Sequence, residues 1–142
     1  MDEAFVLVSH RQYHPTPLTI NALPGLTVGV MRGSFGQSLL RPYPQVKQAL
    51  VAEEIHNADK LALGRIQGWA VAWNCARYNQ QQAGLPVADL VRGETLQQSP
   101  LYLAASPHFP TAEATRWYQT ITAMRDDGSL ARIIKQYDYQ AP

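Results

Sequence analysis

Short apolar stretches alternate with amphipathic stretches along the first two thirds of the chain. Residues 4–9, 27–31 and 66–73 contain few polar residues, which is typical of strands buried on both faces. The strand over 66–73 is expected to lie in the centre of the sheet. Residues 45–63 fit either one helix or a strand followed by a helix. We favour a strand to about residue 52 and a helix over 53–63, because its apolar residues then share one face.

The C-terminal part carries the clearest helical periodicity. Thr111 is predicted to cap a first helix, and the pair Asp126-Asp127 with Gly128 is predicted to separate it from a second helix. The apolar positions of these helices are Ala114, Trp117, Ile121, Met124, Leu130, Ile133, Ile134 and Tyr137. Residues 101–105 are expected to form another short strand, and residues 87–97 a strand or an extended arm. Asn74 is expected to cap a helix that ends near residue 83.

Alternation of strands and helices predicts an α/β fold, a three-layer sandwich with a mostly parallel central sheet. A chain of 142 residues is long enough for one domain with its own core. Ligands of such sheets bind at the carboxyl ends of strands, where helices begin. Residues 32–37 and 73–76 are the two candidate joints.

Composition narrows the classes of function. Hydrophobic residues make up 46% of the chain, charged residues make up 16%, and the net charge is +1. These values are typical of a globular domain and give no electrostatic reason to propose a nucleic-acid or anionic-membrane partner. The N-terminus lacks the basic and apolar regions of a signal peptide, so we expect either a cytoplasmic protein or a piece of a longer chain.

The turn that follows residues 27–31 is the first candidate site. Gly33 can adopt a positive φ, and Ser34 is a good N-cap. The next residues can open a helix whose free backbone N–H groups and dipole favour an anion such as a carboxylate or phosphate. Simple capping of the helix by Ser34 is the alternative interpretation, and on local sequence alone it is favoured.

The tryptophans, the cysteine and the histidines are better explained by structural roles than by a catalytic or binding role. Trp69 and Trp73 share a face of the predicted strand, which favours core packing over ligand stacking. Cys75, the single cysteine, excludes an internal disulfide; its place near a helix start is compatible with a lowered pKa, but a structural role is favoured. The histidines lack metal-ligand spacing, so no metal and no cofactor are predicted. These histidines are His10, His14, His56 and His108.

Motifs of known catalytic sites are not found in the chain. The sequence contains no Gly-x-Ser-x-Gly elbow, no phosphate loop with a lysine and no His-Glu-x-x-His motif. We therefore expect a protein that is not an enzyme.

Four segments together resemble a known family. They are Leu26-Thr27-Val28-Gly29-Val30 with Arg32-Gly33-Ser34, then Leu61-Ala62-Leu63-Gly64-Arg65-Ile66, then residues 101–107, and finally residues 121–137 with their Asp127-Gly128-Ser129-Leu130 break. In this order they resemble the bacterial extracellular solute-binding proteins of family 3, the amino-acid receptors of ABC transporters. The closing segment is the most specific of the four.

The resemblance implies a type II periplasmic-binding fold, in which two α/β lobes close on a ligand about a hinge. This chain would be the second lobe, residues 1–142, with the C-terminal helices from about residue 106. A periplasmic location is implied, with a small-molecule ligand, the first lobe and a transporter permease as partners.

The resemblance also implies a ligand site. In the family, the glycine-serine turn binds the α-carboxylate of the ligand, which here indicates Gly33, Ser34, Phe35 and Gly36. Arg32 could add positive charge to the turn, although a solvated surface role is favoured for it.

A second ligand contact is implied at Gln67, which stands where amino-acid binders have an aspartate for the α-ammonium group. An amide cannot neutralise an ammonium, and loss of a charged partner costs about 1.5–3 kcal/mol. The substitution favours an organic acid or a neutral polar metabolite, or no small ligand at all. If Gln67 contacts no ligand, it is expected to pair with the backbone.

Three alternatives stay open. The same fold occurs in ligand-sensing modules of signalling receptors. An isolated lobe would expose apolar surface, which a homodimer would cover. Less favoured is a regulatory domain of a cell-wall lytic enzyme.

Overall fold

A computed structural model describes residues 1–142 as an α/β protein with five strands and five α-helices. The strands are β1 (Asp2–His10), β2 (Thr27–Met31), β3 (Lys47–Val51), β4 (Gly68–Ala72) and β5 (Leu90–Pro100). The helices are α1 (Phe35–Leu39), α2 (Ile55–Ala62), α3 (Trp73–Gln82), α4 (Thr111–Asp126) and α5 (Ser129–Gln136). The chain divides into two compact units: unit 1 is Met1–Pro100 with Ala141–Pro142, and unit 2 is Leu101–Gln140.

The five strands form one sheet in the order β3-β2-β4-β1-β5. Strand β2 is parallel to β3 and β4, whereas β1 is antiparallel to β4 and β5. The predicted α/β fold and the central position of β4 are confirmed. The sheet is mixed, where a mostly parallel one was expected, because β1 runs against both of its neighbours. No local feature of residues 2–10 specifies the direction in which they enter the sheet.

Apolar side chains cover both faces of the sheet. Val6 and Val8 of β1 pack on one face with Trp69 of β4 and with α2 and α3. Leu7 of β1 and Val28 of β2 pack on the other face. Their partners there include Leu40, which follows α1, and Leu18 and Leu23, which precede β2. Successive side chains of a strand point to opposite faces, so a continuous apolar run fills both layers. The expected burial of β1 and β2 on both faces is confirmed.

Residues 45–63 form a strand and a helix, as favoured from the sequence, and the single-helix alternative is wrong. The prediction that Asn74 caps a helix is also wrong. Helix α3 begins at Trp73 with Ala72 as its cap, so Asn74 lies within the first turn. Its side-chain amide donates instead to the Glu3 carboxylate, at 3.0 Å and 3.2 Å to the two oxygens.

Unit 2 consists of a segment that is neither helix nor strand, residues 101–110, followed by helices α4 and α5. The strand predicted over residues 101–105 does not form: these residues pair with no strand, and all of them are exposed. An apolar run of this length becomes a strand only where a ladder partner is available. Thr111 is the first residue of α4, not its cap, and the break before Ser129 is confirmed. None of the helices combines the length and hydropathy needed to cross a membrane.

Candidate functional site

The turn between β2 and α1 is built as the sequence indicates. Gly33 has φ +74°, a conformation that favours glycine, and no atom would contact a Cβ added there. Ser34 caps α1, because its Oγ accepts a hydrogen bond from the backbone N–H of Gln37 at 3.1 Å. The Ser34 hydroxyl hydrogen is not used by this bond, so the hydroxyl can still donate to a ligand.

Two backbone donors of the turn have no acceptor in the chain. Phe35 and Gly36 open α1, and their N–H groups make no intramolecular hydrogen bond. The N–H of Gly33 is already engaged, since it donates to Oε1 of Gln37 at 2.7 Å. The neutral amide oxygen of Gln37 therefore occupies the position in which an anion would accept a hydrogen bond from the Gly33 N–H.

Gly36 fixes the turn against the neighbouring strand. It is buried, and a Cβ added to it would overlap the backbone carbonyl oxygen of Ala70 in β4. Only glycine allows α1 to approach the strand this closely. The free N–H groups of the turn are thereby held next to the central strand of the sheet.

An aromatic pair borders the turn. The ring of Phe35 meets the ring of Phe5 edge to face, with their centroids 4.8 Å apart. Phe5 pairs with Ala72, the last residue of β4. Phe35 is 47% exposed, so one wall of the site is apolar and open to solvent.

Two carboxylates near the carboxyl ends of β3 and β4 escaped the sequence analysis. Glu3 is buried on β1 and is bound by Asn74. Glu54 lies just before α2 and accepts from the indole N–H of Trp69 at 2.8 Å and from the Asn57 amide at 2.9 Å. The sequence could have indicated Glu54, because it follows β3, a parallel strand, at the edge of the sheet where ligands bind. The sequence gives no such indication for Glu3, because its partner Asn74 is 71 residues away along the chain.

The structure does not bring Gln67 to the turn. Val28 of β2 is opposite Gly68 of β4, so Gln67 lies beside Thr27, where β2 begins, whereas the turn follows the end of β2. The Gln67 amide oxygen accepts from the Thr27 N–H at 3.0 Å, and its nitrogen donates to the Gly64 carbonyl at 3.4 Å. This arrangement matches the alternative in which Gln67 pairs with the backbone.

The other predicted site residues lie at the turn. Arg32, Gly33 and Phe35 are exposed, Ser34 is half-buried, and Gly36 is buried. The five residues are consecutive and span the end of β2 and the start of α1. Trp69 is fully buried in the core, as favoured from the sequence. No three histidine, cysteine, aspartate or glutamate side chains are grouped to hold a metal ion.

Cys75 lies in α3 close to the same two carboxylates. Burial, together with the negative charges of Glu54 and Glu3, raises the pKa of its thiol from 9.0 to about 11. The alternative of a lowered pKa is therefore wrong. The unfolded chain loses this proton before the native protein does, so we expect the thiol to make the native state less stable as the pH rises from about 9 towards 11.

Cys75 should be alkylated slowly. At neutral pH its thiolate fraction is lower by about two orders of magnitude than that of an ordinary cysteine, given the rise of the pKa from 9.0 to about 11. We expect iodoacetamide to react about 100-fold more slowly with the native protein than with the chain unfolded in guanidinium chloride. Equal rates in the two states would contradict this assignment.

Comparison with known proteins shows the fold. No family model and no curated protein matches the chain. The crystal structure of the P235GK mutant of ArgBP from T. maritima has a TM-score of 0.82 at 19% identity, over 99% of this chain and 59% of that one. An ancestral arginine-binding protein bound to glutamine has a TM-score of 0.78 at 19% identity, over 96% of this chain and 60% of that one.

A third solved structure is an ancestral amino-acid-binding protein described as a precursor of cyclohexadienyl dehydratase. Its TM-score is 0.77 at 16% identity, over 96% of this chain and 58% of that one. This chain therefore has the α/β fold of the lobes of periplasmic binding proteins, and it spans about 60% of the length of these neighbours.

Proposed function

We propose that this chain is the ligand-binding lobe of a periplasmic solute-binding protein that serves an ABC transporter, and that it is not an enzyme. The observation that carries the proposal is the likeness to an arginine-binding protein over 99% of the chain, with a TM-score of 0.82. That neighbour is longer than this chain. A first lobe, a hinge between the lobes and a transporter permease are accordingly part of the proposal.

The proposed site is the turn formed by Arg32, Gly33, Ser34, Phe35 and Gly36. Two free backbone N–H groups and the Ser34 hydroxyl support capture of a carboxylate, and the exposed Arg32 guanidinium adds positive charge. We leave Gln67 out of the site, because its amide is engaged with the backbone of Thr27 and Gly64 near the start of β2, whereas the turn follows the end of β2.

The proposed ligand is a small polar or anionic metabolite with a carboxylate, either an organic acid or an amino-acid-like compound. The sequence argument against an ammonium group rested on Gln67, which does not lie at the turn. Glu54 and Glu3 supply negative charge near the carboxyl ends of the strands instead. A ligand with an ammonium group is therefore compatible with this edge of the sheet.

The proposed mechanism is capture followed by closure. The carboxylate first binds to the turn, and the first lobe then closes over the ligand about the hinge. The turn alone offers few hydrogen bonds to a ligand that stays largely hydrated. We therefore expect the isolated chain to bind with a dissociation constant in the millimolar range.

Calorimetric titration with amino acids, dicarboxylates, keto acids and phosphate tests the proposed function. We expect saturable binding of carboxylates, and we expect Ser34→Ala to weaken it about tenfold or more by removal of a charge-assisted hydrogen bond. Ser38→Ala is the matched control, because Ser38 is an exposed serine of the same helix. Absence of saturable binding, or equal affinity in Ser34→Ala, would contradict the proposed site.

Gln37→Ala should increase the affinity for carboxylates. The substitution frees the Gly33 N–H, which the Gln37 side chain otherwise occupies at 2.7 Å. One additional hydrogen bond corresponds to about a 2- to 10-fold gain in affinity. The same calorimetric titration measures the gain, and a weaker or unchanged affinity would show that Gln37 does not compete with the ligand.

A further inference from the structure

Glu3 places a buried carboxylate beside the candidate site. Its side chain and that of Phe5 point to the same face of β1, because successive side chains of a strand alternate. The ring of Phe5 contacts the ring of Phe35 in the turn. Two residues of a strand span about 7 Å, so Glu3 lies about that far along β1 from Phe5, on the face of the sheet that carries the turn.

Only neutral groups donate hydrogen bonds to the Glu3 carboxylate. The Asn74 side-chain amide donates at 3.0 Å and 3.2 Å, the Asn74 backbone N–H at 3.5 Å, and the Ala4 N–H at 3.0 Å. None of these donors is positively charged, although Glu3 is only 8% exposed. Burial of a charge without a paired counter-ion is costly, and a neutral acceptor could also bind Asn74. The hydrogen bonds therefore do not require a charge at this position.

The negative charge of Glu3 acts on its surroundings. It adds to burial and to the charge of Glu54 in raising the pKa of the Cys75 thiol. Glu54 binds the indole of Trp69, which packs with Val6 and Val8 on the opposite face of the sheet. Of the two carboxylates, Glu3 is thus the one on the face that carries the turn.

We propose that the Glu3 carboxylate fills an anion-binding position at Asn74 and thereby restricts the candidate site to ligands with a single carboxylate. The proposal rests on the proposed function, in which the turn at Gly33 to Gly36 binds one carboxylate. A second carboxylate of a short ligand would lie within about 10 Å of Glu3, and the repulsion corresponds to about a tenfold loss of affinity. An uncharged group or an ammonium group at that end of the ligand is not repelled.

NMR titration of the labelled chain with butyrate and with succinate, at neutral pH and one ionic strength, tests this specificity. Both anions have four carbon atoms, and succinate carries the second carboxylate. The amide signals of Gly33 to Gln37 report binding. We expect succinate to bind about tenfold more weakly than butyrate to the wild-type protein. Equal affinities for the two anions would overturn the proposal without any variant.

Glu3→Gln removes the charge and keeps an acceptor for Asn74. It should raise the affinity for succinate about tenfold and change that for butyrate by less than about twofold. Glu53→Gln is the matched control, because Glu53 is an exposed glutamate two residues after β3. We expect it to leave the ratio of the two affinities unchanged. A Glu3→Gln variant with the wild-type ratio, or an equal gain for succinate in Glu53→Gln, would overturn the proposal.

Acetate separates this proposal from the proposed function. Glu3→Ala removes the carboxylate that the Asn74 amide binds. We expect acetate to enter the vacated position and to shift the side-chain and backbone amide signals of Asn74 in a saturable manner, which it should not do in the wild-type protein. Absence of these shifts would overturn the proposal even if the turn binds carboxylates. Shifts at Asn74 without any at Gly33 to Gln37 would support the position filled by Glu3 and contradict the proposed function.

Discussion

Replacing Trp69 by alanine is expected to lower the free energy of unfolding by about 3–5 kcal/mol, because the largest fully buried side chain of the core is removed from the central strand. The Glu54 carboxylate also loses the indole N–H that donates to it at 2.8 Å. Chemical denaturation monitored by circular dichroism measures the change.

Two further variants separate packing from hydrogen bonding at Trp69. Trp69→Phe keeps most of the ring and removes the N–H, so its cost should be clearly smaller than that of Trp69→Ala. Tyr78→Ala removes a ring that is 60% exposed on α3 and should change stability by no more than about 0.5 kcal/mol. A Trp69→Ala variant as stable as Tyr78→Ala would contradict the assignment of Trp69 to the core.

Replacing Gly36 by alanine is expected to reduce both stability and ligand binding. The added methyl group would overlap the Ala70 carbonyl oxygen, so α1 and the turn must move away from β4. Overpacking of this kind costs about 1–3 kcal/mol. Displacement of the turn should also abolish measurable carboxylate binding, because the N–H groups of the turn no longer converge on one point.

Gly25→Ala is the matched control for Gly36→Ala. Gly25 has φ +86° with open space around it, so alanine there costs about 1–2 kcal/mol through the backbone alone. We expect this variant to lose stability and to keep carboxylate binding. Wild-type affinity in Gly36→Ala would show that the contact with β4 does not position the site.

Strand β2 and helix α2 could be predicted from the sequence, because the pattern that specifies each of them lies within a few neighbouring residues. The bounds of β2 follow from a β-branched apolar run between glycines, and the helix over Ile55–Ala62 follows from its apolar face. The turn at Gly33 and Ser34 was predictable for the same reason, because a positive φ and an N-cap depend on neighbouring residues alone.

The features that could not be predicted depend on contacts between residues that are distant in sequence. Asn74 looked like a helix cap, but Glu3, which is distant in sequence, binds its side chain. Residues 101–105 have the apolar character of a strand and lack a ladder partner. The register of β4 on β2, which places Gln67 beside Thr27, depends on which residues pair and cannot be obtained from either strand alone.

An amide-resolved NMR titration of the labelled chain with carboxylate ligands tests the central claim most directly, because it locates the bound ligand on the structure. We predict saturable shifts of the amide signals of Gly33 to Gln37 that are lost in Ser34→Ala, with the amide of Gln67 unaffected. Saturable shifts confined to another part of the chain, or none at millimolar ligand, would contradict a carboxylate site at this turn.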